Sequence, residues 1–137
     1  MDVLADTGYI YALVQPRDRL HQAALDYYLN TSDRILLPAP VLTEFSLLAH
    51  RAGGNTAVVA GGRAVRQSRA ALTDPLAEDY DRAIAILEKY ADSRIDFVDA
   101  TIMAMAERLK LTRILTFDHR DFSLYRPSHT KQFELLP

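Results

Sequence analysis

Residues 1–10, MDVLADTGYI, set Val3, Leu4 and Ala5 directly before an aspartate, then follow it with Thr7, Gly8 and a second apolar run. A short apolar run bounded by turn-forming residues reads as a buried strand over 2–5. Asp6 or Thr7 then has the side chain to cap a helix that starts near Gly8. Strand, capped turn and helix form the opening of a βαβ unit. The carboxylate at the joint raises the question of why a charge stands where a buried strand ends.

The same alternation continues outward from that joint. In RDRLHQAALDYYLNTSD (17–33), Leu20, Ala23, Ala24, Tyr27 and Tyr28 recur at helical spacing. RILLP (34–38) is a second strand. Pro40 suits the first turn of a helix whose inward face is Val41, Phe45, Leu48, Ala49 and Ala52, with Gly53 and Gly54 ending it. Residues 55–75 hold a weak helical pattern interrupted by Gly61 and Gly62, with a short strand near 71–73. LAEDYDRAIAILEKYAD (76–92) predicts a helix with Tyr80, Ala83, Ile84, Leu87 and Tyr90 on one face. DFVDATIMAMAERLKL (96–111) predicts another, with Val98, Ile102, Met105, Ala106 and Leu109 inward. RILTFD (113–118) is a strand that again ends in an aspartate, and FELL (133–136) suits an edge strand. Strands alternating with helices imply right-handed crossovers and a mostly parallel sheet covered on both faces, a three-layer α/β/α sandwich.

The chain has 137 residues, about half hydrophobic and a quarter charged, with net charge −2 and no cysteine. These values predict one globular domain over 1–137 with a real core. They exclude a disulfide framework, a thiolate metal site and a uniformly basic nucleic-acid coat. Neither a signal peptide nor a membrane-spanning run is evident, so the expected location is cytoplasmic. His21, His50, His119 and His129 lack metal-ligand spacing and are expected at the surface.

In a parallel sheet the C-terminal strand ends share one edge, and ligands bind there. Asp6 and Asp118 should therefore meet. Glu44, in the first turns of the helix after the second strand, and Asp99, in the first turn of the helix before RILTF, should join them. Four converging carboxylates either rise in pKa or are neutralised by a cation. Oxygen-only ligands select a hard ion, Mg²⁺ or Mn²⁺ rather than Zn²⁺, and such a site suits phosphodiester hydrolysis. Each acid also has a plain structural job. Asp6 can be an N-cap, Glu44 an exposed helix residue and Asp118 a turn residue. Asp96 and Asp99 have the spacing of a capping box.

The stretches LADTGYI, LTEF and DFVDATIMAMAERLKLTRILTFDHRDF resemble the PIN-domain ribonucleases, and more narrowly the VapC toxins of toxin–antitoxin pairs. The resemblance runs from Met1 to about Tyr125, and FVDATIMAMAERL with RILTFD is its most specific part. It implies a metal-dependent nuclease acting on single-stranded RNA with Mg²⁺ or Mn²⁺. It also implies a homodimer and an inhibitory VapB-like antitoxin. Residue by residue, it assigns catalysis and metal binding to Asp6, Glu44, Asp99 and Asp118. Thr7, Asp96, Thr116 and Asp121 are accessory candidates. The stretch HRDF is one residue longer than the commonest RDF form, which leaves the part played by Asp121 open.

Charge is uneven. Residues 45–73 hold no acid but include Arg51, Arg63, Arg66 and Arg69. The first three, with Arg120, are candidate contacts to RNA phosphates or to the antitoxin, and Arg126 and Lys131 are further phosphate candidates. The apolar run 9–15 and region 45–69 are expected to form a protein-binding surface. Two other function classes compete. A phosphoacceptor of haloacid-dehalogenase type needs an acid two residues after the first, where Gly8 stands. A receiver needs paired acids on the first strand, where Ala5 precedes Asp6. A non-catalytic scaffold or RNA-binding module of the same fold is the other alternative, and the intact acids argue against it.

Overall fold

The computed structural model describes residues 1–137. Its elements are β1 (Asp2–Ala5), α1 (Thr7–Val14), α2 (His21–Asn30), β2 (Arg34–Pro38), α3 (Ala39–Gln67), β3 (Ala71–Thr73), α4 (Ala77–Lys89), α5 (Phe97–Leu109), β4 (Arg113–Leu115), α6 (His119–Leu124) and β5 (Glu134–Leu136). All neighbouring strands pair in parallel, in the order β3-β2-β1-β4-β5. Leu4 at the centre is in register with Leu36 on one side and Ile114 on the other.

The order reverses at β1. The chain steps outward from β1 to β2 and β3, then returns across to β4 and β5. Right-handed crossovers put α1, α2 and α3 on one face and α4, α5 and α6 on the other. The result is the three-layer α/β/α sandwich expected. The reversal also opens a crevice beyond the C-terminal ends of β1 and β4, where sheets of this kind bind ligands. The central strands are buried on both faces, and their Val3, Leu4, Ile35, Leu37, Ile114 and Leu115 join one cluster of 29 buried residues.

Helix α5 is buried at every position from Ala100 to Glu107, as a helix apolar nearly all round must be. Two ion pairs hold α4 and the C-terminal segment against it. Arg108 Nη2 lies 2.8 Å from Asp79 Oδ2, and Arg82 Nε lies 2.8 Å from Glu107 Oε1. Each buried carboxylate also accepts a backbone N–H, Asp79 from Leu76 at 2.8 Å and Glu107 from Ser128 at 2.6 Å. Burial pushes Glu107 up, but the donors from Arg82 and Ser128 outweigh it and hold the group at about 2.

Several expectations are corrected. Tyr80 and Ile84 lie outside rather than in the core, because Ala83 and Ile86 form the buried ridge of α4. The run 9–15 does not form a surface, since Tyr9, Ile10, Ala12 and Leu13 are buried under α2 and α3. Gly53 and Gly54 break α3 with non-helical backbone, Gly54 at φ 65°, but the helix resumes and runs to Gln67. Residues 119–124 form a helix where none is expected. His21 and His129 are not free at the surface. Nδ1 of His21 lies 2.8 Å from the Ala12 carbonyl and Nε2 of His129 2.6 Å from that of Leu111.

Beyond the break, the two glycines of the second half of α3 differ. A Cβ at Gly61 would stand 2.6 Å from Cζ of Phe45, whereas one at Gly62 would meet nothing within 4 Å. Gly61→Ala should therefore destabilise by about 1–3 kcal/mol through overpacking. Gly62→Ala should stabilise by roughly 0.4–1 kcal/mol by reducing unfolded-chain freedom. Urea titrations of both variants check this, and equal effects would refute the packing of α3 on itself.

Candidate active site

Asp6 leaves β1 directly and caps α1. Its Oδ1 accepts the N–H of Tyr9 at 2.8 Å, and its Oδ2 accepts the hydroxyl of Thr116. Asp6 is only 5% exposed. Thr116 stands one residue beyond β4, fully buried, and its Oγ1 also accepts the N–H of Asp118 at 2.8 Å. One hydroxyl thus binds the carboxylate after β1 to the backbone after β4.

Asp118 does not end the strand as expected. β4 stops at Leu115, and Asp118 caps α6 instead, its Oδ1 accepting the N–H groups of Arg120 and Asp121 at 3.2 Å each. Asp99 lies in the first turn of α5. Asp96 caps that helix through an Oδ1 that accepts the Asp99 N–H at 2.9 Å. Glu44 comes from the second turn of α3. Asp6, Glu44, Asp99 and Asp118 line one concavity of about 280 Å³ together with Thr7 and Asp96. The hydroxyl of Thr7 is buried there without a partner.

The structure adds Asp121 to this group. Carboxylate oxygens of Asp99, Asp118 and Asp121 lie within 4.8 Å of one another. Asp121 follows Asp118 by three residues, a spacing that shares a helix face. That signal goes unread when no helix is expected over 119–124. The arginines divide. Arg120 sits in α6 beside Asp121. None of Arg51, Arg63 and Arg66 lines the acid concavity. Arg63 borders a separate surface hollow with Asn55, Thr56 and Val59, and Arg66 lies in the last turn of α3, leading toward the start of β3. Arg69 is structural, stacked 4.2 Å from the Tyr28 ring centroid and donating to the Thr31 carbonyl at 3.0 Å.

Crowding shows in the acidities. Burial, with the charges of Asp118 and Glu44, raises Asp6 to about 6 against the hydrogen bonds from Thr116 and Tyr9. Burial, with the charges of Asp96 and Asp6, raises Asp99 to about 8. Burial and Asp118 raise Asp121, while Arg94 opposes the rise. At neutral pH the cluster cannot carry its full negative charge unaided. A donor set of carboxylate oxygens at this spacing fits a hard divalent cation. The charge at the end of β1 is therefore both a helix cap and one wall of a candidate cation site.

The raised groups fix the sign of a pH effect. Protons bind Asp6 and Asp99 more tightly in the folded state. The stabilisation is complete below the unfolded value of about 4 and is lost as pH rises through about 6 and about 8. The depressed groups, Asp33 and Glu107 at about 2, stabilise by a constant amount over this range and lose that contribution only as pH falls from about 4 toward 2. In chelator, the protein should melt higher at about pH 5.5 than at about pH 8.5. Asp99→Asn should narrow that gap and raise the melting point at the alkaline end. Identical melts at both pH values would contradict the crowded-acid geometry.

A PIN domain family model matches residues 3–126. The chain is 27% identical over 135 residues to Ribonuclease VapC26 of Mycobacterium tuberculosis (strain ATCC 25618 / H37Rv), covering 98% of this chain and 100% of that protein. The solved structure of Mycobacterium tuberculosis VapC20, described as a Sarcin-Ricin loop cleaving toxin, superposes with TM-score 0.81 at 23% identity, over 94% of this chain and 98% of that one. VapBC2 from Rickettsia felis, solved bound to a DNA fragment from its promoter, gives TM-score 0.70 at 16% identity over 100% of both chains. No helix is long and apolar enough to cross a membrane. From β1 to the loop after α6, with its acids gathered at the reversal of the sheet, this chain belongs to the PIN-domain family.

Proposed function

We propose that the chain is a metal-dependent endoribonuclease that cleaves single-stranded RNA and acts as the toxin of a toxin–antitoxin pair. It works as one nuclease unit over residues 1–137, in the cytoplasm, as a homodimer held in check by a VapB-like antitoxin. The observation that carries the reading is the convergence of Asp6, Glu44, Asp99 and Asp118 in one concavity, where burial and the neighbouring carboxylates push the Asp99 carboxyl up. The likeness to a protein named as a VapC ribonuclease supports the substrate class.

Asp6, Glu44, Asp99 and Asp118 are the ligands in this reading, and Asp121 borders the same ion. Mg²⁺ or Mn²⁺ bound there supplies positive charge against the phosphate oxygens and makes a water molecule more acidic. Thr116 holds Asp6 and the Asp118 backbone in fixed relation, and Asp96 holds the first turn of α5 so that Asp99 faces the site. Protein partners have a surface to meet beside Glu44. Leu47, Tyr80 and Phe97 are exposed there, and the Tyr80 and Phe97 rings stack at 5.9 Å. Light scattering should give twice the 15.4 kDa chain mass.

Purified protein freed of antitoxin should cut single-stranded RNA with Mg²⁺ or Mn²⁺ and stop in EDTA. Cleavage undiminished by chelator would refute the metal mechanism. Asp99→Asn should abolish cleavage. Asp96→Asn should retain most of it, since Asn caps as well as Asp, while Asp96→Ala should lose about 0.5–2 kcal/mol of stability. If Asp96→Asn is as inactive as Asp99→Asn, Asp96 is a site residue rather than a cap.

A further inference from the structure

The acid concavity has two unlike flanks. On one side Glu44 also borders an apolar hollow of about 460 Å³, edged by Pro40, Leu47, Tyr80 and Phe97 and by no cation. On the other, Asp121 also borders a polar hollow of about 350 Å³ lined by Lys89, Arg94 and Arg120. Those cations come from three places in the chain: the last residue of α4, the α4–α5 connection and α6. None of them is held in an ion pair, and Lys89 Nζ stands 5.9 Å from the ring centroid of its neighbour Tyr90. Arg34, Arg82, Arg108 and Arg113 each pair with a carboxylate, whereas Lys89, Arg94 and Arg120 have none within 4.0 Å. Asp92 lines the hollow as well but pairs with none of them. Unpaired cations around a concave surface repel one another and concentrate anions.

We infer that the hollow bounded by Lys89, Arg94 and Arg120 is a phosphate subsite, holding the backbone of single-stranded RNA next to the bond that is cut. The inference rests on the nuclease reading above and assigns the strand its direction across the site. A strand whose scissile phosphate lies at the acids must leave over one flank. The apolar flank would strip a phosphate of water without replacing its hydrogen bonds, a heavy penalty for an ion. The cationic flank offers two guanidinium groups and an ammonium, and phosphate suits the guanidinium fork. Asp121 joins the two regions, since a carboxylate oxygen lies within 4.8 Å of those of Asp99 and Asp118 and the residue also lines the hollow. Tyr90 and Leu124, also in the lining, add apolar surface for a sugar or base. The apolar flank is left to protein contacts, so substrate and partner approach from opposite sides.

The test uses the purified chain and a fluorescein-labelled single-stranded RNA oligonucleotide of mixed sequence. Arg94→Gln with Arg120→Gln is compared with the native chain and with a control, Lys110→Asn with Arg34→Gln, whose charges sit just before β4 and at the start of β2, at the opposite edge of the sheet. Cleavage in Mg²⁺ should show KM raised about tenfold or more in the double variant with kcat nearly unchanged. The salt dependence of its affinity should be shallower by about 1.4, at roughly 0.7 per phosphate contact for single strands. Anisotropy of the same oligonucleotide in chelator reads the subsite without turnover and should show the same loss. The control should match the native chain in both. A native chain that cleaves, with a double variant that binds and cleaves equally well, overturns the subsite and leaves the nuclease reading intact. A native chain that binds but never cleaves, with binding lost in the double variant, overturns the nuclease reading and keeps the subsite. A double variant that holds RNA but releases the antitoxin reassigns the hollow to an acidic protein segment.

Discussion

The hydrogen bond from Thr116 to Asp6 joins residues 110 positions apart, and the geometry of the site depends on it. Asp6 is placed by β1 and α1, Thr116 by β4, and the two strands are neighbours only because the sheet order reverses between them. The same hydroxyl accepts the Asp118 backbone N–H, so the second aspartate is set by the first. Asp6 is buried, and a buried carboxylate must be hydrogen-bonded. Its two oxygens take one donor from α1 and one from the β4 side, and the residue still lines the concavity.

The remaining buried or half-buried carboxylates show what distinguishes a site from a scaffold. Asp79, Glu107 and Asp33 each sit against an arginine. Tyr27 and Arg113 hold Asp33 at about 2, and Glu107 is held equally low. Asp6 and Asp99 have no basic partner and are raised. The protein supplies cations to the acids that staple α4 to α5 and β2 to β4, and withholds them from the acids at the reversal of the sheet. Such divergence among carboxylates in one small protein marks a functional site with a stated cause. Here the cause is burial beside other carboxylates, with no internal counter-charge at a place where an external one can enter.

The short helix α6 gives the site its asymmetry. Asp118 caps it, Asp121 turns back toward Asp99, and Arg120 projects away beside Arg94. Six residues thereby carry an acid into the cluster and a cation into the adjoining hollow. On the opposite flank the first half of α3 and the start of α4 present Leu47 and Tyr80. An acidic centre with one cationic and one apolar flank can accept an extended polyanion and a protein surface without making them compete for the same ground.

Much of this follows from local pattern. Apolar runs that stop at Asp6 and Pro38, and helical periodicity in residues 97–109, establish the alternation of strand and helix. Alternation with right-handed crossovers leaves few arrangements other than a parallel sheet between helix layers. The acids at strand ends then point to one edge, so Asp6, Glu44, Asp99 and Asp118 could be named together from the sequence. What pattern could not decide depends on which face of an element meets which neighbour. Tyr80 and Ile84 share a helical stripe with Ala83, yet α5 packs against the ridge of Ala83 and Ile86, and the larger side chains are left in solvent. Asp121 follows a strand that ends three residues sooner than its composition suggests, and its inward turn depends on α6, too short for periodicity to reveal. Arg63 and Arg66 lie in the same charge-biased run as Arg51, but they sit beyond the break in α3, whose last turn leads toward the start of β3. Lys89, Arg94 and Arg120 are scattered in sequence and meet only because the chain returns across the sheet to the far side of β1. Charge and periodicity are local properties and can be read from a chain, whereas the meeting of distant side chains is decided by close packing of the layers.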